Sequence, residues 1–306
     1  MGDYVLRVLA KDAGVRVLTC TTTELSREAA RRHAAYPIAA AALAYGMTAG
    51  ALLGALLKVQ ERVALKFDGD GRLGKMIIES DAYGRARGYI AVPDAAAGKS
   101  LNREAVGDAL GRTGVLTVVK DLRLKDLYRS AIPIEYGELD KELENYLNQS
   151  EQIPSLVEIG VVMNEDQDIE VSGGWLIQAL PGHGHEAVEQ LAMRTEGQPA
   201  VEAFLAEGAD PEQLMDRLLP DHDYIVLDRT EIRFSCSCSK ERSAKALRIL
   251  APEDRLALIA EGEAIVDCHF CHARYTFTRG ELETLHEEAL RDEEAARAEG
   301  ETSTSE

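Results

Sequence analysis

The chain has 306 residues and a formal net charge of −19, from 53 acidic and 34 basic side chains. Its 45% hydrophobic content is enough for roughly two folded domains and excludes general disorder. The acid excess repels phosphate and argues against nucleic acid as a main partner.

The first residues, "MGDYVLRVLAKDAGVRV", carry early charges and lack the apolar stretch of a secretory signal. The expected location is cytoplasmic, where thiols stay reduced and clustered cysteines point to metal or redox chemistry. Residues 1–182 read as one mixed sheet-and-helix domain of the α+β class. "DYVLRVLAKDAGVRVLTCTT" alternates like a hairpin, with Cys20 as a small buried hydrophobe. "TELSREAARRH" reads as a capped helix.

"IAAAALAYGMTAGALLGALL", Ile38 to Leu57, is uncharged and long enough to cross a membrane. Gly46, Gly50 and Gly54 are spaced for close approach. Few large apolar side chains are present, so a helix buried against a sheet is expected, and no membrane partner.

"RVALKFDGDGRLGKMIIESDAYGRARGYI" reads as three strands. Gly69, Gly71 and Gly74 form G-x-G-x-x-G, but a dinucleotide site needs a helix to follow, and "KMIIES" is a strand; a hairpin turn is expected. "GVLTVVKDL" is a further strand. "ELDKELENYLNQSEQIPSLVEIGVVMNED" is a helix running into a strand, and "VSGGWLIQALPG" is a last apolar strand.

Residues 183–232 change character. Short helical patterns are broken by Gly and Pro, with Val188, Leu191, Phe204, Leu205, Leu214, Met215, Leu218 and Leu219 at helical spacing and acidic opposite faces. Such helices are too short to stand alone and must dock on a neighbouring surface. His183 and His185, in "PGHGHE", read as an exposed loop, with weak metal binding as the other reading.

Residues 233–290 form a small module holding four of the five cysteines. The pattern is C-x-C (Cys236, Cys238), then C-x-x-C (Cys268, Cys271). Four thiolates make a closed tetrahedral Zn²⁺ site; a catalytic zinc would keep a position open, so no enzyme is expected. Two short helices lie between the pairs, the second ended by Gly262. So small a core needs the metal, which contributes on the order of 10–16 kcal/mol in zinc peptides. In a strand, Cys236 and Cys238 would share one face with Cα atoms about 6.6 Å apart. A disulfide prefers about 5.5–6 Å. Bridging them is therefore expected to eject the ion and unfold the module. His269 and His272 flank the second pair as surface or supporting groups, or as alternative ligands. Residues 291–306 read as an acidic tail that frays.

Through "GDGRLGKMIIESDAYGRARGYI", "YLNQSEQIPSLVEIGVV", "GGWLIQALPG", "CSC" and "CHFC" followed by Tyr275, the chain resembles the redox-regulated 33-kDa heat-shock chaperones, a bacterial holdase family, over nearly its whole length. One feature departs: His272 stands where such turns often carry Gly or Asn, because the backbone there visits positive φ. The resemblance implies one Zn²⁺ held by Cys236, Cys238, Cys268 and Cys271 in a reduced, inactive state. Oxidation would form the Cys236–Cys238 and Cys268–Cys271 disulfides, release zinc, and unfold the module and linker. The active form would bind unfolding client proteins without ATP, as a homodimer, and pass them to ATP-dependent foldases.

In residue terms, the folded module would give the linker a surface, and zinc loss would free its apolar faces. Val188, Leu191, Phe204, Leu214, Met215 and Leu218 are the candidate client-binding residues. The alternatives are a binding module with a purely structural zinc site, which the charge disfavours, and a zinc or thiol enzyme, which would need an open metal position or an activated Cys20.

Overall fold

The computed structural model describes residues 2–96, 100–182, 184–195 and 197–303, side chains of 184, 185 and 294–303 excepted. The chain divides into two compact units, Met1–Ser235 and Cys236–Glu306. The first contains, in order, β1 (Tyr4–Ala10), β2 (Val15–Thr21), α1 (Thr23–Arg32), α2 (Pro37–Gly54), β3 (Arg62–Gly69), β4 (Lys75–Asp81), β5 (Arg85–Ile90), α3 (Arg103–Leu110), β6 (Gly114–Asp121), β7 (Tyr128–Pro133), α4 (Leu139–Gln149), β8 (Ser155–Met163), β9 (Ile169–Ala179), α5 (Gly184–Thr195), α6 (Val201–Ala206), α7 (Pro211–Leu218), β10 (Ile225–Glu231) and β11 (Arg233–Phe234). Two sheets result, with strand orders β10-β1-β2-β9-β8 and β11-β5-β4-β3-β6-β7. All pairings are antiparallel except β11 with β5.

Helix α2 packs against both sheets. It has no polar face, and every residue from Ile38 to Gly54 is buried, as a helix apolar all round requires. It is long and apolar enough to cross a membrane, yet 94% of it is buried in the protein. The glycine spacing has a packing cause. A Cβ on Gly50 would sit 2.5 Å from Ile78 Cγ2, and one on Gly46 2.9 Å from Met76 Cε. Gly69, Gly71 and Gly74 lie at the hairpin joining β3 to β4, not at a nucleotide turn.

The five-stranded sheet is apolar on both faces. Val5, Leu18, Cys20 and Leu176 join the core around α2. Tyr4, Leu6, Val8, Val15, Val17, Trp175 and Ile177 point the other way. That second face is covered by α5, α6 and α7 through Val188, Leu191, Val201, Leu205, Leu214, Met215 and Leu218. The expectation that the cysteine module supplies the linker's docking surface is therefore corrected. A strand buried on both faces reads as a near-continuous apolar run, as "YVLRVLA" does, and that run offers the linker a broad apolar floor within its own unit. The segment through Ile232 is also not helical throughout: β10 is an edge strand on β1. From there the chain crosses to the other sheet, where β11 pairs with β5 and the Ser235 amide donates to the Ala86 carbonyl at 2.9 Å.

The second unit contains α8 (Lys240–Arg248), α9 (Pro252–Glu261), β12 (Glu263–Asp267), β13 (Arg274–Thr278) and α10 (Arg279–Ser303). Gly262 ends α9 in the left-handed conformation at φ 94°. Of the acidic tail expected to fray over 291–306, residues 291–303 prolong α10, and 304–306 lie outside the described residues. Ion pairs tie that helix down: Arg248 to Glu288 at 3.3 Å and the buried Arg255 to Glu293 at 2.9 Å.

Candidate metal centre

The two cysteine pairs are presented by different local devices. Cys236 and Cys238 lie in an extended loop after β11 and not in a strand as expected. Ser239 caps α8 by accepting from the Arg242 amide at 3.2 Å, and Arg242 Nη1 returns to the Ser237 carbonyl at 2.8 Å. Cys268 and Cys271 lie in the β12–β13 turn. The Cys268 amide donates to the Ala273 carbonyl at 2.9 Å, and the His272 amide to the Cys268 carbonyl at 2.8 Å. His272 takes φ 55° there. It accepts the positive φ that such a turn imposes.

These devices gather all four Sγ atoms within 4.8 Å of one another. Cys236 and Cys268 stand 3.7 Å apart, and Cys238 and Cys271 3.2 Å. A tetrahedron with metal–sulfur bonds of about 2.3 Å has edges of about 3.8 Å. The donor set therefore fits one ion. Without an ion, burial pushes the Cys268 and Cys271 thiols up, away from the thiolate. A cation reverses that preference. Among the described residues this metal-competent group consists of cysteines alone; His269 and His272 are exposed beside it. His183 lies outside the described residues, as does the side chain of His185.

The Tyr275 hydroxyl donates to Cys238 Sγ at 3.2 Å. That bond pushes the phenol up to about 12. Such contacts orient metal ligands. Cys20 is fully buried and its thiol is pushed up by that burial, which leaves it a core side chain without nucleophilic character.

The candidate client-binding residues are not presented to solvent. Val188, Leu191, Leu214, Met215 and Leu218 are buried on the five-stranded sheet. Phe204 is half-buried beneath the Arg217 guanidinium, 3.8 Å above its ring. Sequence reasoning missed the polar ties that hold this linker, because their partners are far away in the chain. Thr19 Oγ1 donates to the Pro211 carbonyl at 2.7 Å, and Glu158 Oε1 accepts from the Val201 amide at 2.9 Å.

Relatives with this architecture are known. A 33 kDa chaperonin of Geobacillus kaustophilus is 40% identical over 95% of this chain and all of its own length. One of Geobacter sulfurreducens is 40% identical over 93% of this chain and 95% of its own. The crystal structure of the Thermotoga maritima 33 kDa chaperonin, a heat shock protein 33 homolog, superposes with a TM-score of 0.84 at 30% identity, over 95% of this chain and 99% of that one. The family model described as Hsp33 protein matches residues 3–278, from β1 through the last strand of the cysteine module. On that continuous match, the chain belongs to the Hsp33 family of chaperones.

Proposed function

We propose that this chain is an ATP-independent holdase, silent while its four cysteines hold Zn²⁺ and activated when they are oxidised. The observation that carries the reading is the covered sheet. The linker's apolar residues and the sheet's second apolar face bury each other, so separating them would expose two client-binding surfaces at once.

Cys236, Cys238, Cys268 and Cys271 would hold the ion, which when bound keeps their sulfurs as thiolates and folds the module around them. Oxidation of Cys236 with Cys238, and of Cys268 with Cys271, forms two S–S bonds. Each bond passes two electrons to a peroxide, which leaves as water. A disulfide sulfur carries no thiolate charge, so the donor set is lost. The second unit's own apolar cluster is small, centred on Ala264, Phe277 and Leu282, and would not keep its fold unaided. Linker helices of 12, 6 and 8 residues are held by their docking contacts on the sheet, and warming would release them. Unfolding proteins are the clients, and the net charge of −19 keeps the opened form soluble. Dimerisation on oxidation, hand-over to ATP-dependent foldases and a cytoplasmic location belong to this reading.

The test is light scattering from a heat-unfolding client, without ATP, using reduced zinc-loaded chain and chain treated with warm peroxide. Thiols and zinc are counted in the same samples. Suppression by the oxidised form alone, with four thiols lost as zinc appears in solution, supports the proposal. Equal behaviour of both forms with zinc retained would reduce the site to a structural one.

A further inference from the structure

One charged cluster in the first unit lies partly buried against the linker. Arg103 opens α3, just after Asn102, whose side chain accepts from the Ala105 amide at 3.0 Å. Its guanidinium makes three bonds that no lysine could reproduce together. Nη1 donates to Asp140 Oδ2 at 2.6 Å. Nη2 donates to the Ile159 carbonyl at 2.9 Å and to Glu202 Oε1 at 2.8 Å. Asp140 is wholly buried on α4, whereas Glu202 belongs to linker helix α6. The same helix is received by β8. Glu158 Oε1 takes the Val201 amide at 2.9 Å, and a Cβ on Gly160 would lie 2.8 Å from Val201 Cγ1 and 3.0 Å from the Glu202 amide nitrogen. Glu202 Oε2 is buried without a partner, so Arg103 is what makes this carboxylate tolerable in its place.

We propose that Arg103 is the positioning residue that latches linker helix α6 onto the first unit through Glu202, with Glu158 and Gly160 forming the seat, so that this contact sets how readily the linker lifts. The inference rests on the reading that linker release activates the chain, and deepens it by naming where release is resisted. Three carboxylates (Asp140, Glu158 and Glu202) gather around Arg103 here, two of them ion-paired to it. Removing the α6 contact leaves Arg103 with Asp140, so the linker can lift without stranding a buried charge in the domain. The latch is thus separable from the fold beneath it.

The test is amide exchange in the full-length, reduced, zinc-loaded chain. Glu202→Ala breaks the linker half and spares Arg103–Asp140. It is expected to speed exchange across 201–218 by about tenfold, as loss of a charged hydrogen bond of this kind does. Exchange in β1–β9 and the zinc content stay unchanged. Gly160→Val, which pushes α6 off its seat sterically, has the same signature. Glu202→Gln, which keeps the acceptor oxygen, recovers part of the protection. Arg103→Lys combined with Glu202→Ala adds little to the single change, as shared partners require. If Glu202→Ala and Gly160→Val leave 201–218 at the wild-type rate, or if exchange rises equally throughout the first unit, the latch is overturned. Aggregation assays on the same samples separate the two claims. Faster linker exchange without chaperoning keeps the latch and removes linker release as the activating step.

Discussion

The Thr19 hydroxyl, buried within β2, donates to the carbonyl of Pro211 at 2.7 Å. The bond spans 192 positions of sequence and joins the five-stranded sheet to the first residue of α7. It sits on an otherwise apolar face, where water cannot replace a lost partner. Thr19→Val keeps the side-chain shape and removes the bond, while the carbonyl keeps its place in the α7 ladder. The expected cost is about 0.5–1.5 kcal/mol, read as a lower temperature for release of the linker in the oxidised chain. A release temperature unchanged from wild type would show that α7 is held by apolar contact alone.

Metal removal tests the second unit separately. Under reducing conditions a strong chelator is expected to abolish amide protection across 236–278, while protection in β1–β9 persists. The asymmetry follows from the cores: the second unit's buried cluster is centred on three residues, whereas the first is built around the fully buried α2. Full protection of 236–278 in the stripped chain would mean that the module does not depend on the ion.

Tyr275→Phe removes the hydroxyl that donates to Cys238 Sγ and leaves the ring in place. Loss of such a supporting bond typically weakens metal binding about 10–100-fold. The Cys238 sulfur also loses a donor that draws off its electron density, so zinc release by peroxide is expected to be several-fold faster. Competition with a zinc-binding dye gives both quantities, and wild-type values for both would contradict the role assigned to the hydroxyl.

Arg255 makes a parallel claim for α10. It is 4% exposed, donates to the carbonyls of Arg248 and Leu250 at 2.7 and 2.9 Å, and reaches His286 Nδ1 at 3.2 Å and Glu293 Oε1 at 2.9 Å. Helix α10 begins at Arg279, one residue beyond the match to the family. Arg255→Met leaves two carbonyls without their donor and frees a glutamate that is 42% exposed, a loss of about 1–3 kcal/mol. Earlier thermal exposure of the four thiols, measured by thiol titration, is the expected readout; an unaltered titration curve would show that α10 is not coupled to the site.

The linker's seat titrates in a direction that can be worked out. Burial first, then the neighbouring Glu202 and Asp140 carboxylates, push the Glu158 carboxyl above its ordinary value, against the Val201 amide and Arg103. Asp140 is pushed up by burial too, against Arg103 and Lys141. A carboxyl raised in the docked state favours docking fully at pH below its undocked value of about 4.3. That contribution fades as pH climbs through the docked value. Protection of 201–218, corrected for intrinsic exchange, should therefore fall as pH rises above the ordinary carboxylate range. Glu158→Gln keeps an acceptor for Val201 and should flatten the fall. A steeper fall in the variant would reverse the sign.

The sequence was most readable where chemistry is local. The C-x-C and C-x-x-C spacing named a metal-competent cluster that the Sγ distances support, and the positive φ at His272 followed from the turn type. Charge-free α2 declared its burial by lacking a polar face. What stayed hidden depends on distant partners. "IVLDRTE" has too little context to show that it pairs with β1, more than 200 residues upstream. The linker's amphipathic spacing revealed a docked face but not its floor. The apolar run of β1 was read as one side of a hairpin, though both its faces are covered. Arg103, Asp140 and Glu202 look like ordinary surface charges until the fold brings them together.

The most direct measurement uses Trp175, the single tryptophan. It lies on the linker-covered face of the sheet and is 5% exposed. Its emission and its quenching by acrylamide should be followed while the zinc-loaded chain is oxidised with warm peroxide and zinc release is recorded. The account predicts a red shift and increased quenching that accompany or follow zinc release and reverse on reduction with zinc restored. An emission that stays blue and protected while zinc is fully released and clients are held would contradict it, because the sheet would then have remained covered in the active state.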